Sequence, residues 1–149
     1  RYERVIIMTD ADSDGGHIAS LLITFFYQEM PGLIENGHLY LAQPPLFKLS
    51  WKGETVYARN DKHRQQILET TFKGKKPDVT RFKGLGEMDY KDLKSTTMDP
   101  SKRTLLKVEI AEADRTAVAD SVNALMGSKP ELRFRFIQER AAFVRDLDV

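Results

Sequence analysis

After four mostly charged residues the chain carries an unbroken apolar run, Val5-Ile6-Ile7-Met8, and then changes character abruptly. A β-branched run without polar alternation predicts a strand buried on both faces. The polar stretch DADSDGG follows as a predicted loop at the strand's carboxyl end. From about His17 to Met30, apolar residues return at helical spacing, with Ile18, Leu21, Leu22, Phe25 and Phe26 predicted to share the core-facing side. Pro31-Gly32 disturbs that helix near its end, Asn36-Gly37 closes the unit, and HLYLA reads as the next strand. Strand, loop, helix, strand is a βαβ unit, and its first loop lies where ligands bind in open α/β sheets.

Pro44-Pro45 stiffens the exit from this unit. Residues 46–51 and 55–58 alternate as a hairpin around Lys52-Gly53-Glu54. Asp61 is placed to cap a helix running to about Phe72, KGKKP makes an exposed turn, and VTRF is a short strand. Asp89 is placed to cap a short helix to about Ser95, and TLLKVEI is a further strand. Helical spacing covers Glu112–Met126, ending at Gly127, and again from Pro130 to about Asp146 with a strongly charged surface. Trp51 and the phenylalanines read as core or hairpin packing. No internal repeat or low-complexity segment interrupts the chain.

The 149 residues suffice for one domain with a core, or one domain with a small appendage. With no cysteine, disulfides and thiolate metal sites are excluded, in keeping with a reducing, cytoplasmic setting. No apolar run reaches the roughly 18 residues that span a bilayer. The chain lacks an initiating Met and a signal peptide and reads as a segment of a longer protein.

The net charge of +1 conceals a marked asymmetry. Residues 1–60 carry five basic and seven acidic side chains, residues 73–107 carry ten and five, and residues 108–149 carry six and eight. The basic middle is either a solvated surface or a segment that neutralises phosphates.

Asp10, Asp12 and Asp14 carry the chemistry. D-x-D-x-D-G opens a calcium EF-hand loop, but the twelfth position, where a bidentate Glu belongs, is Leu21, and the preceding segment is a strand former. An aspartyl-phosphate phosphotransferase also carries D-x-D at a strand end, with Thr or Val where this chain has Asp14. The arrangement fits better a Mg²⁺ site for phosphodiester chemistry. There, carboxylates at i and i+2 hold the ion together with phosphate oxygens and water, and the ion relieves their mutual repulsion. The competing structural reading makes them turn residues capping the next helix.

MTDADSDGGHI, PPLFK and RFKGLGEM…TTMDP, in this order and spacing and with FIQERA…LDV at the end, resemble the B subunit of bacterial type IIA DNA topoisomerases. The pattern is closer to the topoisomerase IV branch than to the gyrase branch. The resemblance implies an α/β fold: a Toprim-like, mostly parallel sheet flanked by helices, incomplete at its amino-terminal side, with a small α+β carboxyl-terminal extension. It divides the chain into a Toprim part (1–60), a basic KGLGEM-containing segment (61–110) and a carboxyl-terminal helical segment (111–149). It implies that Asp10 and Asp12 are catalytic metal ligands and that Asp14 is a third acid near them, supporting the site or itself holding metal in some states. Mg²⁺ is the implied ion, with Mn²⁺ or Ca²⁺ as substitutes.

The resemblance also implies that Arg81, Lys83, Gly84 and Gly86 contact DNA, with Lys48 a weaker candidate. His17 and Glu87 are supporting residues, although a lone histidine is more often a structural hydrogen-bonding residue. The implied partners are double-stranded DNA and the A subunit, in an A2B2 heterotetramer, with the charged final helix as a docking surface. The attacking tyrosine belongs to the A subunit, and ATP is used by an upstream domain. A further glutamate, in an EGDSA-like motif, lies upstream in the family and has no counterpart in this chain. The chain by itself is therefore expected to be inactive. A gyrase fragment introducing negative supercoils, a metal-independent DNA- or partner-binding module and a phosphatase-like hydrolase are the alternatives.

Overall fold

A computed structural model describes residues 1–143 of the chain. The amino-terminal pattern folds as the expected βαβ unit. Strand β1 (Val5–Ile7) leads to helix α1 (Ser13–Glu29), the short helix α2 (Pro31–Glu35) follows, and β2 (Leu39–Ala42) returns parallel to β1. Val5 faces Leu39 and Ile7 faces Leu41 across the pair.

Helix α1 begins inside the aspartate stretch, at Ser13 instead of about His17. Asp12 is its N-cap, accepting the Gly15 N–H at 2.8 Å, and Asp14 lies in the first turn, where a carboxylate complements the helix dipole. These favourable ends offset the poor helix propensity of Gly15 and Gly16.

The core-facing side of α1 also differs from the sequence expectation. Ala19, Ile23, Phe26 and Tyr27 pack with Ile7, Ile34 and Leu39, whereas Ile18, Leu21, Leu22 and Phe25 are 39–50% exposed. Gly15 sets the rotation. A Cβ there would overlap the Asp10 backbone, so the 15–19–23–26 stripe is turned inward and the neighbouring apolar stripe outward.

The second unit is an antiparallel sheet. Strands β3 (Phe47–Trp51) and β4 (Glu54–Ala58) form the expected hairpin, and β5 (Asp78–Arg81) pairs along the other edge of β3. The two-residue turn, Lys52 (φ 47°) and Gly53 (φ 87°), has the double positive φ of a hairpin turn whose twist matches its strands. Helix α3 (Asp61–Glu69) covers this sheet, burying Phe47, Leu49, Ala58, Ile67 and Phe72 together. Its cap is Asn60, whose side chain accepts the His63 N–H at 2.8 Å, and not Asp61. It stops at Glu69, and Phe72 enters the core from the turn beyond it.

Helix α4 (Tyr90–Leu93) is capped by Asp89 as expected, then widens into one π turn, Lys94–Met98. Ser95 Oγ and Thr96 Oγ1 both donate to the Asp92 carbonyl, at 3.1 and 2.7 Å, and compete with the regular ladder there. Strand β6 (Leu105–Lys107) then pairs antiparallel with β2, giving the first sheet the order β1-β2-β6. Parallel pairing among the described residues is thus confined to β1 and β2, within an α/β architecture. Both sheets take strands from either side of residue 60, so the 61–110 segment is woven into the amino-terminal part.

Helices α5 (Arg115–Met126) and α6 (Pro130–Arg140) form the carboxyl-terminal pair, joined through Gly127. Arg133 Nη1 clamps that turn by donating to the Leu125 and Gly127 carbonyls at 3.2 and 3.0 Å. One further turn reaches Phe143. The remainder of the helix expected to about Asp146, and the terminal LDV, lie outside the described residues. Phe25, Phe134 and Phe143 are exposed, unlike the core residues Phe47, Phe72 and Phe82. Amphipathic spacing alone does not reveal which stripe of α1 meets the core. Among the described residues no helix is long and apolar enough to cross a membrane.

Candidate functional site

Asp10 and Asp12 sit where β1 ends and α1 begins, the position at which an open α/β sheet presents its ligands. Both line one cleft of about 270 Å³, together with Gly16, Leu41, Gln43 and Arg59. Each carboxylate is held through one oxygen by a main-chain amide: Leu85 N–H to Asp10 Oδ1 at 2.7 Å, and Gly15 N–H to Asp12 Oδ1 at 2.8 Å. Among the described residues, no hydrogen bond engages the second oxygen of either group.

Asp14 and His17 are exposed on the first turns of α1 and do not line that cleft. Among the described residues no three acids or histidines are grouped as a ready metal cage. The structure brings together a pair, Asp10 and Asp12, and leaves Asp14 outside it. Two carboxylates with open oxygens, exposed to water, fit an ion that takes hard oxygen ligands and keeps several waters.

The KGLGEM segment meets this pair from a distant part of the chain. Glu87 closes the loop: its Oε2 accepts the Lys83 N–H at 2.9 Å, and the Gly84 carbonyl accepts the Glu87 N–H at 3.1 Å. The two glycines differ. A Cβ on Gly84 would fall 2.8 Å from Asp10 Oδ2, whereas one on Gly86 would meet nothing within 4 Å. Arg81, at the end of β5, and Lys83 are exposed and make no ion pair among the described residues, and Lys83 directly precedes Gly84, which packs on Asp10.

Lys48 is placed differently. Its ammonium bridges both oxygens of Asp92, and Tyr57 Oη donates to the same carboxylate at 2.8 Å. Asp92 is among the few buried polar residues. Burial pushes its carboxyl pKa up, but the hydrogen bonds from Lys48 and Tyr57 outweigh this and leave it below the ordinary value. The hydrogen bond to Asp92 holds the Lys48 ammonium above its ordinary value, against partial burial. Burial, and then the hydrogen bond to Asp92, raises the Tyr57 phenol. Lys48 thus fastens α4 to the hairpin, and its charge is already satisfied within the chain.

Arg59 was not singled out by sequence. It lines the aspartate cleft and also a neighbouring cleft of about 730 Å³ that includes Tyr57, His63 and Lys102. The signal was present in YAR, at the exit of β4 beside the Pro44-Pro45 turn, but nothing local ties that arginine to Asp10.

The family model described as "Toprim domain" matches residues 1–44, and that described as "DNA gyrase B subunit, carboxyl terminus" matches residues 74–138. Over its whole length the chain is 62% identical to the DNA topoisomerase 4 B subunit of Caulobacter vibrioides and 59% identical to that of Bartonella bacilliformis. The chain belongs to the B-subunit family of type IIA DNA topoisomerases. It spans 21% and 22% of the lengths of those two relatives. The DNA gyrase B subunit of Halalkalibacterium halodurans is 47% identical over the whole chain, which covers 23% of that relative's length. The greater identity to these topoisomerase IV subunits agrees with the expected closeness to that branch. Both family models fall on the pieces that the geometry joins: Asp10 and Asp12 lie in the Toprim match, and Leu85 lies in the gyrase B match.

Proposed function

We propose that this chain supplies the metal-holding half of a DNA cleavage–religation site in an ATP-dependent type II topoisomerase of the topoisomerase IV kind. The observation that carries this reading is the contact between Asp10 and the KGLGEM loop. It supports the reading because the segment that touches Asp10 also carries two exposed cations, Arg81 and Lys83, which make no ion pair among the described residues. Acids to hold a cation and bases to hold phosphate are the two needs of phosphodiester chemistry.

Asp10 and Asp12 would hold Mg²⁺, with Mn²⁺ or Ca²⁺ as substitutes, and Asp14 would add charge nearby. The bound ion would stabilise charge on a phosphate and on the departing 3′ oxygen. Arg81 and Lys83 would hold backbone phosphates in register with the carboxylates, and the absence of a Cβ at Gly86 would let a phosphate approach the loop. The tyrosine nucleophile would come from an A subunit, forming a 5′-phosphotyrosyl link, and a further glutamate from outside these 149 residues. The complete assembly would be an A2B2 heterotetramer acting on double-stranded DNA in the cytoplasm. Its ATP would be hydrolysed elsewhere in the B subunit, and the isolated chain would be inactive.

Asp10→Asn and Asp12→Asn, each placed in the complete B subunit and assembled with the A subunit, should abolish metal-dependent double-strand cleavage with the fold retained by circular dichroism. Wild-type cleavage by both variants would overturn the reading. Full DNA affinity in chelator, with no metal bound, would instead favour a metal-independent binding module.

A further inference from the structure

Asp10 is confined from two sides by glycines that lie far apart in the chain. Gly15, in the first turn of α1, packs on the Asp10 main chain, where a Cβ would stand 2.7 Å from the carbonyl carbon. Gly84 packs on the carboxylate itself, where a Cβ would stand 2.8 Å from Oδ2, 3.0 Å from Cγ and 3.1 Å from Oδ1. The Gly84 backbone is extended (φ −159°, ψ 172°), a conformation open to every residue. The requirement for glycine there is therefore space, and the space is taken by the side chain of Asp10.

The main chain of each partner is held. The Asp10 backbone is pressed against Gly15, and its Oδ1 is tied to the Leu85 N–H. The loop is held upstream by the Phe82 N–H to the Leu46 carbonyl at 2.8 Å, downstream by buried Met88, and across its base by Glu87. A methyl group at position 84 would therefore act on the softest member, the carboxylate, and break its bond to Leu85.

We propose that Gly84 and the Leu85 amide are the positioning elements of Asp10, setting its carboxylate for metal and thereby the metal affinity of the site. This rests on the proposed metal-holding role of Asp10 and Asp12. The chemistry is that of an outer partner orienting a ligand: the amide fixes one oxygen, Oδ1, and leaves Oδ2 without a hydrogen bond among the described residues. Because Lys83 precedes Gly84 directly, the same rigid loop sets the distance between a phosphate-binding cation and the metal-binding carboxylate.

The test follows Mn²⁺ by paramagnetic broadening of amide resonances from these residues, ¹⁵N-labelled within the complete B subunit, comparing wild type with Gly84→Ala, Gly32→Ala and Asp12→Asn. Wild type and Gly32→Ala, whose added Cβ would meet only the Asn36 side chain at 3.6 Å, should show the same selective broadening around Asp12–Gly16. Gly84→Ala should need about 10–100-fold more Mn²⁺. In the metal-free state its Leu85 amide should exchange with solvent faster than in wild type. Identical Mn²⁺ titrations for wild type and Gly84→Ala overturn the inference and leave the metal reading intact. Absence of site-selective broadening in wild type, or its persistence in Asp12→Asn, overturns the metal reading, and the inference falls with it. The exchange rate then still judges the hydrogen bond, since unchanged Leu85 protection in Gly84→Ala refutes positioning outright. If Gly84→Ala loses signal dispersion throughout, Glu87→Ala loosens the loop without adding bulk and should shift the titration the same way. An unchanged titration in that variant counts against the proposal.

Discussion

Lys48 Nζ lies 2.8 and 3.0 Å from the two carboxylate oxygens of Asp92, 44 residues away, and Tyr57 completes the cluster. Removing the buried acid leaves an ammonium and a phenol without their shared acceptor. Asp92→Ala should therefore cost about 3 kcal/mol of unfolding free energy in urea, near the lower end for a broken buried pair because Lys48 stays partly solvated. The double change Lys48→Met with Asp92→Leu removes both charges together and should cost clearly less than Asp92→Ala alone. Additive losses would show that the pair is uncoupled.

The same cluster sets a pH dependence. Asp92 is lowered from an ordinary 3.8 in the folded protein, so its contribution is fully present above that value and is lost as pH falls through the folded value. Lys48 is raised from 10.5, so its contribution is present below 10.5 and is lost as pH rises through its folded value. Melting temperature should accordingly drop on both limbs, below pH 3.8 and above pH 10.5. Asp92→Asn should flatten the acid limb relative to wild type, and two superimposable acid limbs would contradict the assignment.

DNA affinity should separate the lysines. Arg81→Ala and Lys83→Ala remove exposed cations that make no ion pair among the described residues, so each should weaken DNA binding by the complete B subunit and reduce the slope of log K against log salt by about 1. Lys48→Met should leave that slope unchanged, because its charge is spent on Asp92. A fluorescence-anisotropy salt series distinguishes the three. A slope lowered by Lys48→Met and not by the other two would reverse the assignment.

Asp12 has two roles that substitution can part. As N-cap it accepts the Gly15 N–H, a task asparagine performs equally well, whereas alanine should cost about 1 kcal/mol of stability. As a proposed metal ligand it needs its charge. Asp12→Asn should melt within a degree or two of wild type yet lose Mn²⁺ binding, whereas Asp12→Ala should lose both. Equal melting temperatures for Asn and Ala would remove the cap from the account.

Much of this was legible in the sequence wherever the signal is local. The βαβ unit, the Lys52-Gly53 hairpin and the Asp89 cap follow from apolar runs, turn residues and capping chemistry over a few positions. The motif order identified the family, and DADSDG located the carboxylate pair. Contacts set by the tertiary fold were not legible. Lys48 stands in FKLSW as an outward residue of an alternating strand, and nothing nearby marks Asp92 as its acceptor. In sequence Gly84 reads like Gly86, as a glycine open to DNA, and only the fold puts Asp10 in the space its Cβ would fill. The rotation of α1 was missed because two apolar stripes compete, and the decisive contact is made by Gly15, which carries no hydrophobic signal.

That rotation gives a final contrast between adjacent glycines. Gly15 and Gly16 both lie in the first turns of α1, where alanine is intrinsically the better helix former by about 1 kcal/mol. At Gly16 a Cβ would meet nothing within 4 Å, so Gly16→Ala should raise the melting temperature, or at least not lower it. At Gly15 a Cβ would collide with the Asp10 main chain, and backbone cannot swing aside as a side-chain tip does. Gly15→Ala should therefore destabilise by about 1–3 kcal/mol, the usual cost of overpacking, despite the propensity gain. It should also displace Asp10 and weaken Mn²⁺ binding, which Gly16→Ala should do far less. If both substitutions stabilise the chain equally, the packing of α1 against Asp10 is not what fixes the helix or the carboxylate it supports.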